Sequence, residues 1–86
     1  MTIEAIMTFN REAMLTYLSD ELGVDIEDIN DDTLLFTDGY LDSFSVVDLV
    51  TYLESSANIS ISPSEVNLDN LDSVGRIITF VDVKTQ

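Results

Sequence analysis

The sequence predicts an all-α protein, a four-helix bundle with three longer helices and one short helix. Two observations lead to this fold class. Apolar residues recur at three- and four-residue spacings in three separate segments, which is the period of a helix with one buried face. No segment alternates apolar and polar residues over the length of a convincing strand. The 86 residues are enough for one small domain, so we expect a single domain over residues 1–86.

The first helix is predicted from Thr2 to Leu22. Thr2 is a suitable N-cap, and Gly23 can end the helix. The apolar positions that set its period are Ile3, Ile6, Met7, Met14, Tyr17, Leu18 and Leu22. Residues 24–41 have no sustained period and contain seven Asp, Glu or Asn residues, which predicts a long loop. A loop of this length in a small domain packs through its own side chains or carries function.

The second helix is predicted from Ser43 to Ala57, with Asp42 as its N-cap. At about 100° per residue, the helix has two different faces. The face predicted to be buried holds Val46, Leu49, Val50, Leu53 and Ala57. The opposite face holds Phe44, Val47, Asp48, Thr51 and Ser55. Because this second face combines apolar residues with an acid beside Ser43, we interpret it as a contact surface. The alternative is that Phe44 folds back onto the long loop and Val47 flanks the core.

Two shorter elements and a last helix complete the bundle. Residues 59–61 form a brief extended stretch, and Pro63 can start a short helix through Val66 to Leu71. The last helix is predicted from Ser73 to Val83. Its buried residues are expected to be Val74, Ile77, Ile78 and Val81.

Composition narrows the function. Three basic residues stand against 17 acidic ones, for a formal net charge of -14, which disfavours nucleic acid and anionic membranes and favours basic protein partners. The alternative is that the acidity only keeps the protein soluble. The chain has no Cys and no His, so we expect no catalytic residues of the triad type and no enzyme activity. Residues 1–7 lack the features of a signal peptide, and no apolar run approaches the roughly 18 residues of a membrane span, so a cytoplasmic protein is expected.

A calcium-binding loop is considered because Asp28, Asn30 and Asp32 have the alternate spacing of an EF-hand. The sixth position would be Thr33, where glycine is required. The twelfth would be Gly39, where a bidentate glutamate is required. The sequence therefore predicts no metal site.

Ser43 is the residue best placed for chemistry. The segment 38–44 ends a loop and begins a helix, so the Ser43 hydroxyl should be exposed to another enzyme. The free N–H groups and positive dipole end of the helix would favour a phosphodiester attached there. However, the tripeptide Leu-Asp-Ser recurs at residues 71–73, where we interpret it as a helix cap. The tripeptide alone is weak support, and the surrounding order of elements distinguishes Ser43.

That order resembles the acyl carrier and peptidyl carrier protein family, whose signature is Asp-Ser and a large apolar residue at the start of the second helix. Residues 39–44 carry this match, and residues 21–24, 31–34 and 73–77 extend it over nearly the whole chain. The resemblance implies that a phosphopantetheinyl transferase, using coenzyme A and its own Mg2+, attaches 4′-phosphopantetheine to Ser43. The thiol of this arm would hold an acyl or aminoacyl group as a thioester, so the resemblance implies a carrier, expected as a monomer.

The resemblance also implies a surface that partner enzymes recognise. It consists of Phe44, Val47, Asp48 and Thr51, with Asp42 and Glu54 engaging basic residues of the partner. Members that serve fatty acid synthesis have a richly acidic second helix, whereas this one offers only Asp48 and Glu54.

The run at residues 39–44 looks more like D-alanyl carrier proteins or stand-alone aminoacyl carriers of natural-product pathways. The implied partners are an adenylating ligase and acyl-transferring or condensing enzymes. The alternative function is an acidic carrier-like module that is never modified and binds one basic partner protein.

Overall fold

The structure is a computed structural model that describes residues 9–85. This part of the chain contains four α-helices and no strand: α1 (Arg11–Asp20), α2 (Ser43–Ala57), α3 (Leu68–Leu71) and α4 (Val74–Thr85). Single turns of 3-10 helix lie at Ile26–Asp28 and Pro63–Glu65. The predicted all-α bundle of three longer helices and one short helix is confirmed.

Helix α1 begins at a cap that the sequence analysis did not recognise. Asn10 has an extended backbone, with φ of -153°, and its side chain accepts the N–H of Ala13 at 2.8 Å. A helix cannot continue through a residue in this conformation, so the predicted uninterrupted helix from Thr2 to Leu22 is wrong at Asn10. The predicted cap Thr2 and the apolar residues Ile3, Ile6 and Met7 lie outside the described residues.

The C-terminal end of α1 follows the predicted chemistry more closely. The helix ends at Asp20, and Gly23 then takes a left-handed conformation with φ of +73°. This turn lets the Val24 N–H donate to the carbonyl of Leu18 at 2.9 Å. Gly23 therefore stops the helix as predicted, because a left-handed residue is favourable for glycine and costly for others.

The core draws on every helix and on the long loop. Its buried side chains are Met14, Leu18, Val24, Leu35, Leu41, Leu49, Leu53, Leu71, Val74, Ile77, Phe80 and Val81. Three of them, Val24, Leu35 and Leu41, come from the loop between α1 and α2. The loop is thus held by burial of its own apolar side chains, which is the first of the two alternatives predicted for a loop of this length.

Main-chain hydrogen bonds fix the same loop to the start of α4. The Leu35 N–H donates to the carbonyl of Asp72 at 2.6 Å, and the Gly75 N–H donates to the carbonyl of Asp31 at 3.0 Å. A Cβ atom at Gly75 would lie 3.2 Å from that Asp31 oxygen. The glycine therefore permits a close approach between helix and loop, and an ion pair between Asp31 and Arg11 ties the loop to α1 as well.

The last third of the chain differs in detail from the prediction. The single short helix expected from Pro63 to Leu71 is two pieces, the turn Pro63–Glu65 and helix α3, because Asn67 is extended and caps α3 by accepting the Asn70 N–H. Lys84 binds both carboxylate oxygens of Glu65 at 2.9 Å, which joins the turn to α4.

Helix α4 runs from Val74 to Thr85 instead of Ser73 to Val83, and Ser73 is its cap, since its hydroxyl accepts the Arg76 N–H at 3.1 Å. Three of the four residues predicted to be buried are buried: Val74, Ile77 and Val81. Ile78 is only half-buried, and Phe80 is buried in its stead. No helix of the described residues is long and apolar enough to cross a membrane.

Candidate functional site at the start of helix α2

Asp42 is the reason why α2 begins at Ser43. Its backbone is extended, and its carboxylate accepts the N–H groups of Phe44 at 3.0 Å and Ser45 at 3.1 Å. The same oxygen accepts the Ser45 hydroxyl at 3.2 Å. This is the N-cap that the sequence predicts. It also occupies two of the N–H groups that the sequence analysis had expected to be free for a phosphodiester.

Ser43 is the first residue of α2, and its side chain is exposed. Its hydroxyl makes no hydrogen bond to any of residues 9–85, unlike the neighbouring hydroxyl of Ser45. The approach to Ser43 is a turn in which Gly39 has φ of +86°, followed by the partly exposed Tyr40. An unpaired hydroxyl on a helix start is accessible to a second molecule, and the positive end of the helix dipole faces any anion bound to it.

A groove of about 350 Å³ opens directly beside Ser43. It lies between α2, α3 and the loop before α2. Its walls are formed by Phe36, Leu41, Asp42, Ser43, Val46, Val66, Asn67, Leu68 and Leu71. Most of these side chains are apolar, so the groove offers a hydrophobic surface to a group tethered at Ser43.

The two predicted faces of α2 are present. On the inner face, Leu49 and Leu53 are fully buried, and the other three predicted core residues, Val46, Val50 and Ala57, are half-buried. On the outer face, Phe44 is 83% exposed and Val47 is 68% exposed. Asp48, Thr51 and Ser55 are exposed beside them. Large apolar side chains with this degree of exposure are typical of a surface that another protein covers.

Glu54 is placed differently from the rest of the candidate set. It is half-buried, and its carboxylate accepts the N–H of Ile61 at 2.9 Å. This bond connects α2 to the extended stretch that follows it, and the left-handed Asn58 with φ of 56° makes the reversal between them. Glu54 therefore has a structural role next to the outer face of α2.

Sequence reasoning missed the role of Asp72, in the second Leu-Asp-Ser. Asp72 is 2% exposed, and its carboxylate accepts the N–H groups of Phe36 at 2.7 Å and Thr37 at 3.1 Å together with the Thr37 hydroxyl. Burial opposes ionisation, but these hydrogen bonds, with a smaller contribution from Arg76, hold the pKa of Asp72 below its usual value. Its partners lie 35 and 36 residues away, so no local pattern could have revealed them.

Among residues 9–85, no group of three or more carboxylates is arranged to hold a metal ion. The start of α2 presents the Ser43 hydroxyl, its cap Asp42 and the apolar groove.

Comparison with known proteins places these residues in context. The sequence model of the family described as "Phosphopantetheine attachment site" matches residues 12–81. The chain is 38% identical over 72 residues to a D-alanyl carrier protein of Leuconostoc citreum, covering 84% of this chain and 91% of that protein. A D-alanyl carrier protein of Bacillus licheniformis is 36% identical over the same shares of the two chains. An acyl carrier protein of Thermotoga maritima is 30% identical over 67 residues, 78% of this chain and 80% of that one. No solved structure gives a significant match.

Proposed function

The chain belongs to the phosphopantetheine-attachment family of carrier proteins, whose members hold a covalent 4′-phosphopantetheine. We propose that Ser43 is the residue to which this group is attached. The observation that carries the proposal is the contrast between the two serines that follow Leu-Asp. The Ser43 hydroxyl is exposed and without a hydrogen-bond partner among residues 9–85. The Ser73 hydroxyl is buried and bonded to the Arg76 N–H. A transferase can reach the first and not the second.

The residues around Ser43 fit the attached group. When bound, the arm supplies a terminal thiol, which the chain itself lacks, to hold the cargo as a thioester. Ser43 provides the oxygen of the phosphodiester, and the helix dipole favours the negative charge at that position. Asp42 fixes the serine at the first helical position through the N–H groups of Phe44 and Ser45. The apolar groove beside Ser43 offers a surface along which the arm and its cargo can lie.

Intact-mass measurement tests this assignment. The purified protein without the arm is mixed with coenzyme A, Mg2+ and a broad-specificity phosphopantetheinyl transferase. We expect one arm to be added to the parent and to Ser73→Ala, and none to Ser43→Ala. Equal addition to Ser43→Ala contradicts the assignment. No addition to a folded parent favours the other interpretation of the sequence, an unmodified acidic module that binds a basic partner.

The cargo we propose is a small aminoacyl group, and D-alanine is the first candidate. Two observations support it. The relatives with 35–38% identity are named D-alanyl carrier proteins, while the acyl carrier proteins are 30–31% identical. The exposed face of α2 carries one acid, Asp48, because the Glu54 carboxylate is bonded to the Ile61 N–H. This differs from the richly acidic second helix of members that serve fatty acid synthesis. An adenylating ligase and an acyl-transferring enzyme are the partners this cargo requires.

Loading experiments discriminate between cargoes. The arm-bearing protein is incubated with ATP and an adenylating ligase specific for D-alanine, and separately with a ligase specific for fatty acids. We expect a mass increase of one alanyl group with the first and none with the second. Loading by the fatty acid ligase alone would assign a fatty acyl cargo instead.

The outer face of α2 is the surface we propose for these partner enzymes. Its exposed Phe44 and Val47 would enter an apolar recess, while Asp48 pairs with a basic residue at the rim and Thr51 extends the contact. The basic side chains of the chain itself are engaged elsewhere: Arg11 with Asp31, Arg76 with the Leu68 carbonyl and Lys84 with Glu65. The surface that partners meet is therefore apolar and negative.

Substitutions that introduce a positive charge on the outer face of α2 test this surface. We expect Val47→Arg and Asp48→Lys to slow loading by the ligase, because each places a positive charge where a basic partner must approach. Their thermal melts should stay close to that of the parent, since both side chains are exposed. Asp82→Lys makes the same charge change as Asp48→Lys on the exposed face of α4 and is the matched control. Equal slowing in Asp82→Lys would assign the effect to net charge and contradict a docking role for α2.

A further inference from the structure

The second Leu-Asp-Ser, residues 71–73, is hydrogen-bonded to the loop that precedes the first copy, residues 41–43. Asp72 bonds this loop in two ways. Its carboxylate accepts the N–H groups of Phe36 and Thr37 and the Thr37 hydroxyl. Its main-chain carbonyl accepts the Leu35 N–H at 2.6 Å. Three consecutive residues of the loop are therefore held by one buried residue at the start of α4.

One further main-chain hydrogen bond connects this part of the loop to the residues just before Ser43. The carbonyl of Leu35 accepts the Leu41 N–H at 2.8 Å, and the side chains of both leucines are buried. Leu41 is followed directly by the cap Asp42 and then by Ser43. The turn between the two leucines is closed by the Asp38 N–H to the Leu34 carbonyl at 3.0 Å and the Gly39 N–H to the Phe36 carbonyl at 3.2 Å. These hydrogen bonds connect residues 35–37 to the start of α2.

The same loop forms one wall of the groove beside Ser43. Phe36 lines that groove directly, and its N–H is the donor of the shortest main-chain bond to the Asp72 carboxylate. Leu71, the residue before Asp72, also lines the groove. Loss of the carboxylate would leave the Phe36 N–H without its acceptor and free the wall to shift.

From this geometry we infer that Asp72 is a positioning residue for Ser43: by holding residues 35–37, it sets the place of the serine and the shape of the groove for the enzyme that adds the arm. The inference rests on the proposed function of Ser43. It assigns the second Leu-Asp-Ser a role in that function, although its serine is inaccessible. Asp72 touches no reacting atom and acts only through the loop.

Steady-state kinetics of arm addition test this role, with coenzyme A, Mg2+ and the broad-specificity transferase. We expect Asp72→Ala to lower kcat/KM for the carrier by about tenfold, because small displacements of reacting groups can cost up to about 100-fold. Asp72→Asn should restore most of the parental value, since its amide oxygen can still accept the Phe36 and Thr37 N–H groups. Thr37→Val removes only the hydroxyl bond and should give an intermediate value without endangering the fold.

The matched control separates positioning from general stability. Val81 is buried on α4, the helix that follows Asp72, but it lies toward the far end of that helix, beside Phe9 and Ala57. Val81→Ala should destabilise the bundle while leaving kcat/KM near the parental value under conditions where all variants are folded by circular dichroism. Equal losses in Asp72→Ala and Val81→Ala, or an unchanged kcat/KM in Asp72→Ala, would overturn the inference.

A second readout does not depend on the arm. In amide NMR spectra, the signals of residues 41–44 should shift in Asp72→Ala and stay in place in Val81→Ala and Asp72→Asn. If the parent accepts no arm, the proposed function fails and these spectra alone decide the positioning role. Unshifted signals at 41–44 in Asp72→Ala would refute it.

Discussion

The tripeptide Leu-Asp-Ser occurs at residues 41–43 and 71–73, and a helix starts at the end of each copy, yet the two copies have opposite environments. Both leucines are buried. Asp42 and Ser43 are exposed, whereas Asp72 and Ser73 are each 2% exposed. Asp42 caps its own helix, while Asp72 binds a loop 35 residues away and leaves the capping to Ser73. The same three residues therefore specify a helix start, and the surrounding packing decides what that start does.

The contrast continues into the helices. The residues one and four positions after Ser43 are Phe44 and Val47, both strongly exposed, whereas those after Ser73 are Val74 and Ile77, both buried. Helix α4 turns this side toward the core, and α2 turns it toward solvent. A surface for partner proteins follows the first serine, and a stability element follows the second.

The largest difference in the free energy of unfolding is expected between substitutions at the fourth position after each serine. Ile77→Ala should lower the free energy of unfolding by about 2–5 kcal/mol, because it leaves a cavity in the core. Val47→Ala should change it by less than about 0.5 kcal/mol, since Val47 is exposed and alanine is the better helix former. Urea denaturation followed by circular dichroism measures both values. Similar losses in the two variants would mean that the outer face of α2 is covered within the protein itself.

The next largest difference in the free energy of unfolding is expected between alanine substitutions of the two aspartates. Asp72→Ala removes the acceptor of the Phe36 and Thr37 N–H groups, and we expect a loss of about 2–3 kcal/mol from two donors left unsatisfied in a partly buried site. Asp42→Ala removes an exposed N-cap, for which about 1 kcal/mol is typical. Urea unfolding of the two variants provides the comparison. A larger loss for Asp42→Ala would contradict the distinction between the buried link and the local cap.

Alanine substitutions of the two serines should show a smaller difference in stability. Ser73→Ala removes a buried cap, and we expect it to cost about 1 kcal/mol. Ser43→Ala removes an exposed hydroxyl at the first helical position, so its effect should stay within about 0.5 kcal/mol. Thermal melts monitored by circular dichroism can resolve these values. Since Ser43→Ala is also the variant expected to lose the arm, a near-parental melt shows that this loss is not caused by unfolding.

Sequence patterns predicted the parts of the fold that are decided locally. The start of α2 was predicted because Asp42 accepts the N–H groups two and three positions ahead of it, and the two faces of the helix follow from its own period. The start of α1 was also decided locally, by Asn10, but apolar spacing that continues across this residue favoured a longer helix. Asn10 is a good N-cap residue three positions before Ala13, and this signal could have been weighed against the spacing.

Tertiary hydrogen bonds explain what the sequence could not predict. The Asp72 carboxylate finds its partners only after the loop has folded onto α4, and the Glu54 carboxylate meets Ile61 only after the chain reverses at Asn58. Asp72 and Asp42 have the same immediate neighbours in the sequence, since both stand between leucine and serine. The exposure of Ser43 was predicted from its position after a loop, but its distinction from Ser73 depends on which side of each helix faces the core.

Acid titration should show the most specific difference. The pKa of Asp72 is lowered in the folded protein, so its stabilising effect is present above the unfolded pKa of about 4 and is lost as the pH falls through the folded pKa. We expect Asp72→Asn to be about 1 kcal/mol less stable than the parent at neutral pH, because hydrogen bonds to a charged acceptor are stronger. Urea unfolding between neutral and acidic pH should show this gap narrowing as the pH falls below about 4.

The control for this titration is Ser73→Ala, which removes a group that does not titrate, so its gap from the parent should stay constant across the same range. The pKa of Glu65 is also lowered, by the Ser62 N–H and by Lys84, but it acts equally in parent and variant and cancels from the difference. A gap for Asp72→Asn that is constant with pH would show that the charge of Asp72 does not stabilise the loop. Its link to Ser43 would then depend on hydrogen-bond geometry alone, which an asparagine can reproduce.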